Sequence, residues 1–221
     1  MKNHVAFCFH VPQSCSCLCC DTIVCSFGPR HFTNLHGMVL RRVCVFCGSS
    51  TGLKAEFVNA AEALGTKLAC RNIGLIYGGG SVGLMGVVSQ SAHNQGGAVI
   101  GVIPEQLKPI EISGETRGEV IVTKDMHERK QHMSSLADAF IAMPGGFGTL
   151  EELFEMITWK QLGFHSKPVG ILNVDGFYDA LLKFLDESVS LGFISKSARE
   201  LLFVAESPDE LLNKLSSFSS E

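Results

Sequence analysis

The feature that most constrains this chain is an alternation. From Arg42 onward, apolar runs of four to six residues take turns with helical segments of ten or more. A strand followed by a helix and then another strand needs a crossover, so the pattern dictates an α/β fold with a parallel sheet. The expected strands are Val43–Cys47, Gly74–Tyr77, Ala98–Ile103, Val120–Thr123, Ala139–Met143 and Pro168–Leu172. They are continuously apolar, as strands covered on both faces are. The expected helices run near Lys54–Cys70, Leu84–Gln95, His127–Leu136, Leu150–Leu162, Tyr178–Leu191 and Pro208–Ser217. No repeat or long linker interrupts them. The expectation is one doubly wound domain over residues 38–221, in which ligands bind beyond the carboxyl ends of the strands.

Composition narrows the function classes. Of 221 residues, 46% are hydrophobic and 18% charged, against a usual charged share of roughly a quarter, which argues against disorder for the bulk of the chain. The formal net charge of -4 provides no positive field to hold a nucleic-acid backbone or an anionic membrane. No run approaches the roughly 20 apolar residues of a membrane span, and no basic segment followed by an apolar run opens the sequence. We expect a soluble intracellular protein, cytoplasmic with the nucleus as a second compartment, and no nucleic-acid or membrane partner. Six of nine cysteines precede residue 26, and residues 1–37 show no periodicity, so they read as an irregular Cys-rich appendage. Their spacing fits no zinc pattern, and reduced thiols are the default. Cys44 and Cys47 form C-x-x-C but read as a buried strand entering a turn.

Two glycine-rich loops compete for one anion. The first holds Gly78, Gly79, Gly80 and Gly83 between a strand and a helix, matching the G-x-G-x-x-G fingerprint of a nicotinamide-dinucleotide site, and Glu105 follows at the distance of a ribose-binding carboxylate. A glycine-rich string meets this pattern easily, and the fingerprint normally lies on the first strand of its unit. A tight turn with close helix packing is the simpler reading. The second is Pro144-Gly145-Gly146-Phe147-Gly148-Thr149-Leu150-Glu151-Glu152. Three glycines in four residues let several N–H groups converge, and a helix N-terminus adds partial positive charge, so this loop is built as a phosphate cradle. Thr149 and Glu152 also spell T-x-x-E, a capping box that needs no ligand, but capping does not explain the glycines. Leu150, Leu153, Phe154 and Ile157 supply an apolar stripe, which makes Glu151, Glu152 and Glu155 candidates for the open side. A carboxylate beside a phosphate cradle calls for separate work.

The helix opening at Asp125-Met126-His127-Glu128-Arg129-Lys130 adds a third feature. Met126, Arg129, Met133 and Leu136 recur at helical spacing, which puts Arg129 on an apolar stripe where a guanidinium is costly without an anion. The plain alternatives are an Arg that snorkels or pairs with Glu128. Lys130 points about 100° away and reaches toward the same rim.

Taken together, Pro144-Gly145-Gly146-x-Gly148-Thr149-x-x-Glu152, the upstream Gly78-Gly79-Gly80, Glu111-Ile112-x-Gly114-Glu115-Thr116 and Met126-His127-x-Arg129-Lys130 resemble the plant type of the LONELY GUY family. Its members are cytokinin riboside 5'-monophosphate phosphoribohydrolases, long labelled lysine decarboxylases. The likeness runs from about Arg41 to Leu215. It implies a Rossmann-like homodimer with the active site near the subunit interface, which releases free base from an N6-substituted adenosine 5'-monophosphate. By resemblance Arg129 and Glu152 match the catalytic pair. Glu111, Arg129, Lys130, the loop Gly146, Phe147, Gly148, Thr149, Leu150, Glu151 and Glu152, and Thr158 match substrate-binding positions. Phe147 stands where Tyr is common, and the segment before Met38 has no counterpart.

Cleaving a ribosyl N-glycosidic bond passes through an oxocarbenium-like state, which asks for a carboxylate near the sugar. Glu152 meets that need as general base, as the group orienting water, or as a ribose ligand. Arg129 would hold the phosphate or stabilise charge on the leaving base. No metal and no cofactor is implied: no His/Asp/Glu set has ligand spacing, and no Schiff-base lysine with pyridoxal phosphate contacts is legible. The rival class is a nucleotide- or cofactor-carrying protein on the same fold, which needs the glycine cradle but neither Glu152 nor Arg129.

Overall fold

The computed structural model describes residues 38–111 and 117–218. The expected appendage, residues 1–37, lies outside them. The elements in chain order are β1 (Arg42–Phe46), α1 (Ala55–Cys70), β2 (Gly74–Tyr77), α2 (Gly83–Asn94), β3 (Val99–Pro104), α3 (Lys108–Glu111), β4 (Glu119–Thr123), α4 (Met126–Leu136), β5 (Ala139–Ala142), α5 (Phe147–Gln161), β6 (Val169–Leu172), α6 (Asp179–Ser190), α7 (Lys196–Arg199), β7 (Leu202–Ala205) and α8 (Pro208–Ser216). The strands form one parallel sheet in the order β4-β3-β2-β1-β5-β6-β7. The chain walks outward one way from β1 to β4, returns to β1's other side, and walks outward again, so the order reverses between β1 and β5. That reversal opens a crevice at the carboxyl ends of those two strands.

The alternation of side chains along each strand builds two cores. Val43, Val45 and Cys47 point to one face, where Leu64, Leu68, Leu84, Val88 and Leu211 of α1, α2 and α8 cover them. Cys44 and Phe46 point to the other, under Met133, Leu153, Met156 and Leu185 of α4, α5 and α6. The two thiols of C-x-x-C therefore face opposite sides of the sheet and serve as packing residues. Burial, with Glu152's charge adding to it, pushes both up and keeps them protonated. At the start of β1, Asp138 accepts the N–H groups of Arg41 and Arg42 at 2.8 and 2.9 Å, which ties the strand to the turn before β5.

Two strand expectations need correction. β7 was not expected: its four residues, Leu-Phe-Val-Ala, follow a one-turn helix directly and are too short to stand out as a separate run. β4 was expected to be covered on both faces, yet only Thr123 is buried in it, because it is an edge strand. Among the described residues no helix is long and apolar enough to cross a membrane.

Candidate active site

The loops at the reversal point are stitched together by main-chain bonds. After β1, the N–H of Gly48 donates to the Pro144 carbonyl at 3.0 Å, and the Gly48 carbonyl accepts from Leu84 at 3.0 Å and Met85 at 3.4 Å. These last two donors belong to the first turn of α2. Its N-terminus is therefore stoppered by protein, and the first glycine loop offers no open anion site. Three glycines of that loop have a packing reason instead. Gly83 takes a φ of +60°, and a Cβ there would lie 2.2 Å from the Ser49 carbonyl carbon; Gly79 takes a φ of +79° and packs on Ile103. Gly80 is buried. A Cβ on Gly78 would sit 2.1 Å from Nη2 of Arg129, so this glycine makes room for the guanidinium. Glu105, the ribose carboxylate of the dinucleotide reading, is paired with Lys108 at 3.1 Å. The nicotinamide reading fails on these contacts.

The second loop is open. Its N-cap is Gly146, which brings no side chain to the first turn of α5. Gly146 and Gly148 have ordinary φ values, and a Cβ on either would meet nothing within 4 Å. Neither packing nor backbone conformation requires glycine there, and the space beside them is open to a ligand. The first-turn N–H groups of a 15-residue helix face that space with the positive end of its dipole. Gly145 differs, since a Cβ on it would collide with Thr149 Oγ1 at 2.2 Å. A cleft of about 260 Å³ continues past the loop, lined by Ser49, Ser50, Phe57, Leu84, Gly145 and Phe177. The β1 loop, Gly48-Ser49-Ser50-Thr51-Gly52, was missed in the sequence; its signal was a run of small polar residues directly after the first strand.

Because α5 starts at Phe147, Thr149 is its third residue and Glu152 its sixth. The capping box expected from T-x-x-E does not form. Thr149, Glu152, Leu153, Met156 and Lys160 make the buried stripe, whereas Phe154 is half-exposed. Glu152 thus points inward, not to the open side, and only Glu151 is well exposed. Glu152 Oε1 lies 3.6 Å from Nη2 of Arg129, with the two side chains 9% and 6% exposed. This is a charge contact looser than a hydrogen bond.

Arg129 reaches the pair from the second turn of α4. Asp125 caps that helix by accepting the Glu128 N–H at 2.9 Å, and Glu128 accepts the Lys124 N–H at 2.7 Å. Glu128 is occupied at the cap, so the expected alternative pairing with Arg129 is absent. Arg129 instead donates to the Gly78 carbonyl at 3.4 Å. Its Nε is buried with no acceptor from the protein, a donor that an anionic ligand would complete. Lys130 turns toward α5, pairing with Glu151 and, at 2.9 Å, with Glu155. Burial pushes its ammonium down, but the hydrogen bonds to Glu151 and Glu155 outweigh this and hold it above the ordinary lysine value. Glu155 was not among the expected ligands.

The remaining expected positions are dispersed. Phe147 is exposed at the cradle's rim and Leu150 half-buried one turn below. Thr158 is exposed, six residues past Glu152, hence about 9 Å further along α5 and about 240° round it. One chain does not bring it to the cradle. Glu111 ends α3, and 112–116 lie outside the described residues. Among the described residues no cluster of His, Cys, Asp and Glu converges as metal ligands would. Lys130 is clamped as an ammonium, and Lys160, though lowered by burial, sits near the far end of α5 over the rings of Phe203 and Phe218.

Residues 85–215 match a protein family described as "Possible lysine decarboxylase". A "Probable cytokinin riboside 5'-monophosphate phosphoribohydrolase LOGL2" of Oryza sativa subsp. japonica is 60% identical over 181 residues, covering 82% of this chain and 74% of that protein. "Cytokinin riboside 5'-monophosphate phosphoribohydrolase LOG3" of Arabidopsis thaliana is 58% identical, covering 81% and 83%. Among solved structures, the molybdenum cofactor binding protein from the phototrophic bacterium Rippkaea orientalis aligns with a TM-score of 0.62 over 81% of this chain and 98% of that one, at 24% identity; that likeness speaks for the fold alone. With such identity to curated relatives over four fifths of its length, the chain belongs to the LONELY GUY family of phosphoribohydrolases.

Proposed function

We propose that this protein hydrolyses the N-glycosidic bond of cytokinin riboside 5'-monophosphates, giving free cytokinin base and ribose 5-phosphate. The observation that carries the reading is the pairing of an open phosphate cradle, Gly146 and Gly148 at the N-terminus of α5, with a buried Arg129–Glu152 pair beside it. The names of the relatives support the same substrate class. The 5'-phosphate sits on the first-turn N–H groups, with Arg129 as counter-charge. Glu152, beside the guanidinium, stabilises the developing ribosyl cation and takes the proton of the attacking water. The water oxygen ends on C1' of the sugar, the departing base nitrogen takes a proton from solvent, and Glu152 returns to solvent the one it took. A carrier would need only the cradle, whereas here a buried ion pair is kept against its desolvation cost.

We further propose a homodimer. Thr158 stands on the outer side of α5, near the exposed Leu162 and Phe164, and a second copy would bring its Thr158 to the cradle of the first.

The test is incubation with isopentenyladenosine 5'-monophosphate, its riboside and its triphosphate, with Glu152→Gln alongside. Release of free base from the monophosphate far faster than from the other two is expected, with at least a roughly hundredfold loss in Glu152→Gln, whose amide keeps the shape but accepts no proton. Equal rates for riboside and monophosphate would sink the cradle, and near-normal turnover by the variant would leave Glu152 without a role.

A further inference from the structure

The chain leaves the sheet at Met143, and its carbonyl must find a donor outside the strand ladder. Ala142 still pairs with Ile171 of β6, and the Met143 N–H still donates to Phe46 at 2.9 Å. In a regular parallel ladder the Met143 carbonyl, on the same side as its N–H, would accept from Gly48 beyond β1, but that N–H is taken one residue later. The Met143 carbonyl accepts instead from the hydroxyl of Tyr178, at 2.6 Å, from a residue 35 positions later. The following carbonyl, Pro144, takes the Gly48 N–H. Both peptide planes that feed the cradle are thus aimed by single hydrogen bonds, one from main chain and one from a phenol.

Tyr178 is itself held firmly. It is 1% exposed. Its N–H donates to Asn173 Oδ1 at 2.8 Å, and Asn173 Nδ2 donates to Asp179 at 2.7 Å. Its ring meets Phe177 edge-on at 4.9 Å, and Phe177 meets Phe57 edge-on at 5.7 Å, so the support continues into two residues that line the cleft. Burial pushes the phenol up, so it remains a donor at any ordinary working pH.

We infer that Tyr178 is a positioning residue of the nucleotide site, acting through the Met143 carbonyl to aim the Pro144–Gly148 main chain at the substrate's phosphate. The inference rests on the hydrolase reading for its substrate, though not for its anion. Without the hydroxyl, a buried carbonyl is left unpaired and its peptide turns to find a partner. Gly145 and Gly146, which follow, offer little resistance to that turn.

The experiment is Tyr178→Phe in the full chain, read three ways. KM for isopentenyladenosine 5'-monophosphate is expected to rise at least about tenfold with kcat within about twofold. Base release from the riboside, which has no phosphate to misplace, stays unchanged. Inorganic phosphate, titrated calorimetrically, binds more weakly by a factor like that in KM. A loss confined to kcat, a loss shared equally by the riboside, or unchanged phosphate affinity overturns the inference. Should the variant melt below the assay temperature, Asn173→Ser, which loosens the same ring and keeps the hydroxyl, replaces it. A shift in phosphate affinity in the same direction is then expected, and none overturns the inference. If the wild-type protein leaves the monophosphate intact, the hydrolase reading fails, and the phosphate titration alone decides the role of Tyr178.

Discussion

Arg129 was readable in the sequence because it breaks a rule: a guanidinium at helical spacing among Met126 and Met133 has to be answered by an anion. Glu152 lies on the buried side of α5 rather than the open one, because polar Thr149 and Glu152 occupy part of a stripe that the apolar spacing of Leu150, Leu153 and Ile157 only partly marks. Period alone cannot show that a buried face is polar. Gly78 was read as turn punctuation, yet its missing Cβ is the seat of the Arg129 guanidinium. Gly78→Ala should therefore act on function more than on fold. Its backbone is not in the left-handed region, and the atom in conflict is the far end of a flexible side chain. The guanidinium swings away from Glu152, and kcat/KM is expected to fall about a hundredfold, as when one stabilising donor is removed from an active site. Melting should drop by no more than about 5 °C, since the 3.6 Å contact is loose. Parallel kinetics and melting curves check this; undiminished kcat/KM would show that Arg129 need not lie where it does.

At the scale of elements, both glycine loops were legible as strand-to-helix turns and the second already read as the anion site, but the physical reason for that ranking was not legible. What ranks them is a contact from elsewhere in the chain: Gly48's carbonyl fills the α2 N-terminus and leaves that of α5 empty. Such a bond spans two elements and has no local signature. The misplaced start of α5 has a local cause, since a capping pattern at Thr149 and Glu152 outweighed glycines, which are ordinarily poor helix formers. The open N-terminus leads to a test in which stability and function part. Gly148→Ala places a methyl in a helical first turn where nothing within the protein opposes it. The substitution should leave the melting temperature unchanged or raise it by up to about 3 °C, the gain in helix propensity being at most about 1 kcal/mol. The same methyl stands where the phosphate approaches, and KM for the monophosphate is expected to rise at least about tenfold. Differential scanning fluorimetry beside initial-rate kinetics reads both, and a stabilised variant with unchanged KM would move the phosphate elsewhere.

For the whole molecule, the reversal of strand order explains why the site lies where it does, and the alternation of apolar runs with helices made that architecture legible before β7 was seen. The sequence could not show whether one chain suffices. Within a chain, Thr158 is about 240° round α5 from Glu152, and in the proposed dimer a substrate would touch both by lying between two copies. This yields an expectation about mixed dimers. In a symmetric pair each site takes Glu152 from one copy and Thr158 from the other. Co-expressing Glu152→Gln with Thr158→Ala then gives heterodimers in which one site carries both lesions and the other carries neither. With random pairing, half the dimers are mixed and half their sites are intact, so about a quarter of wild-type turnover should return with wild-type KM. Tagging the two variants differently and purifying the mixed species should raise that share to about a half by the same symmetry. If Thr158 acts on its own chain's site, every site in the mixture carries a lesion. No component with wild-type KM and turnover then appears, and the shared-site dimer is refuted even where size-exclusion chromatography shows a dimer.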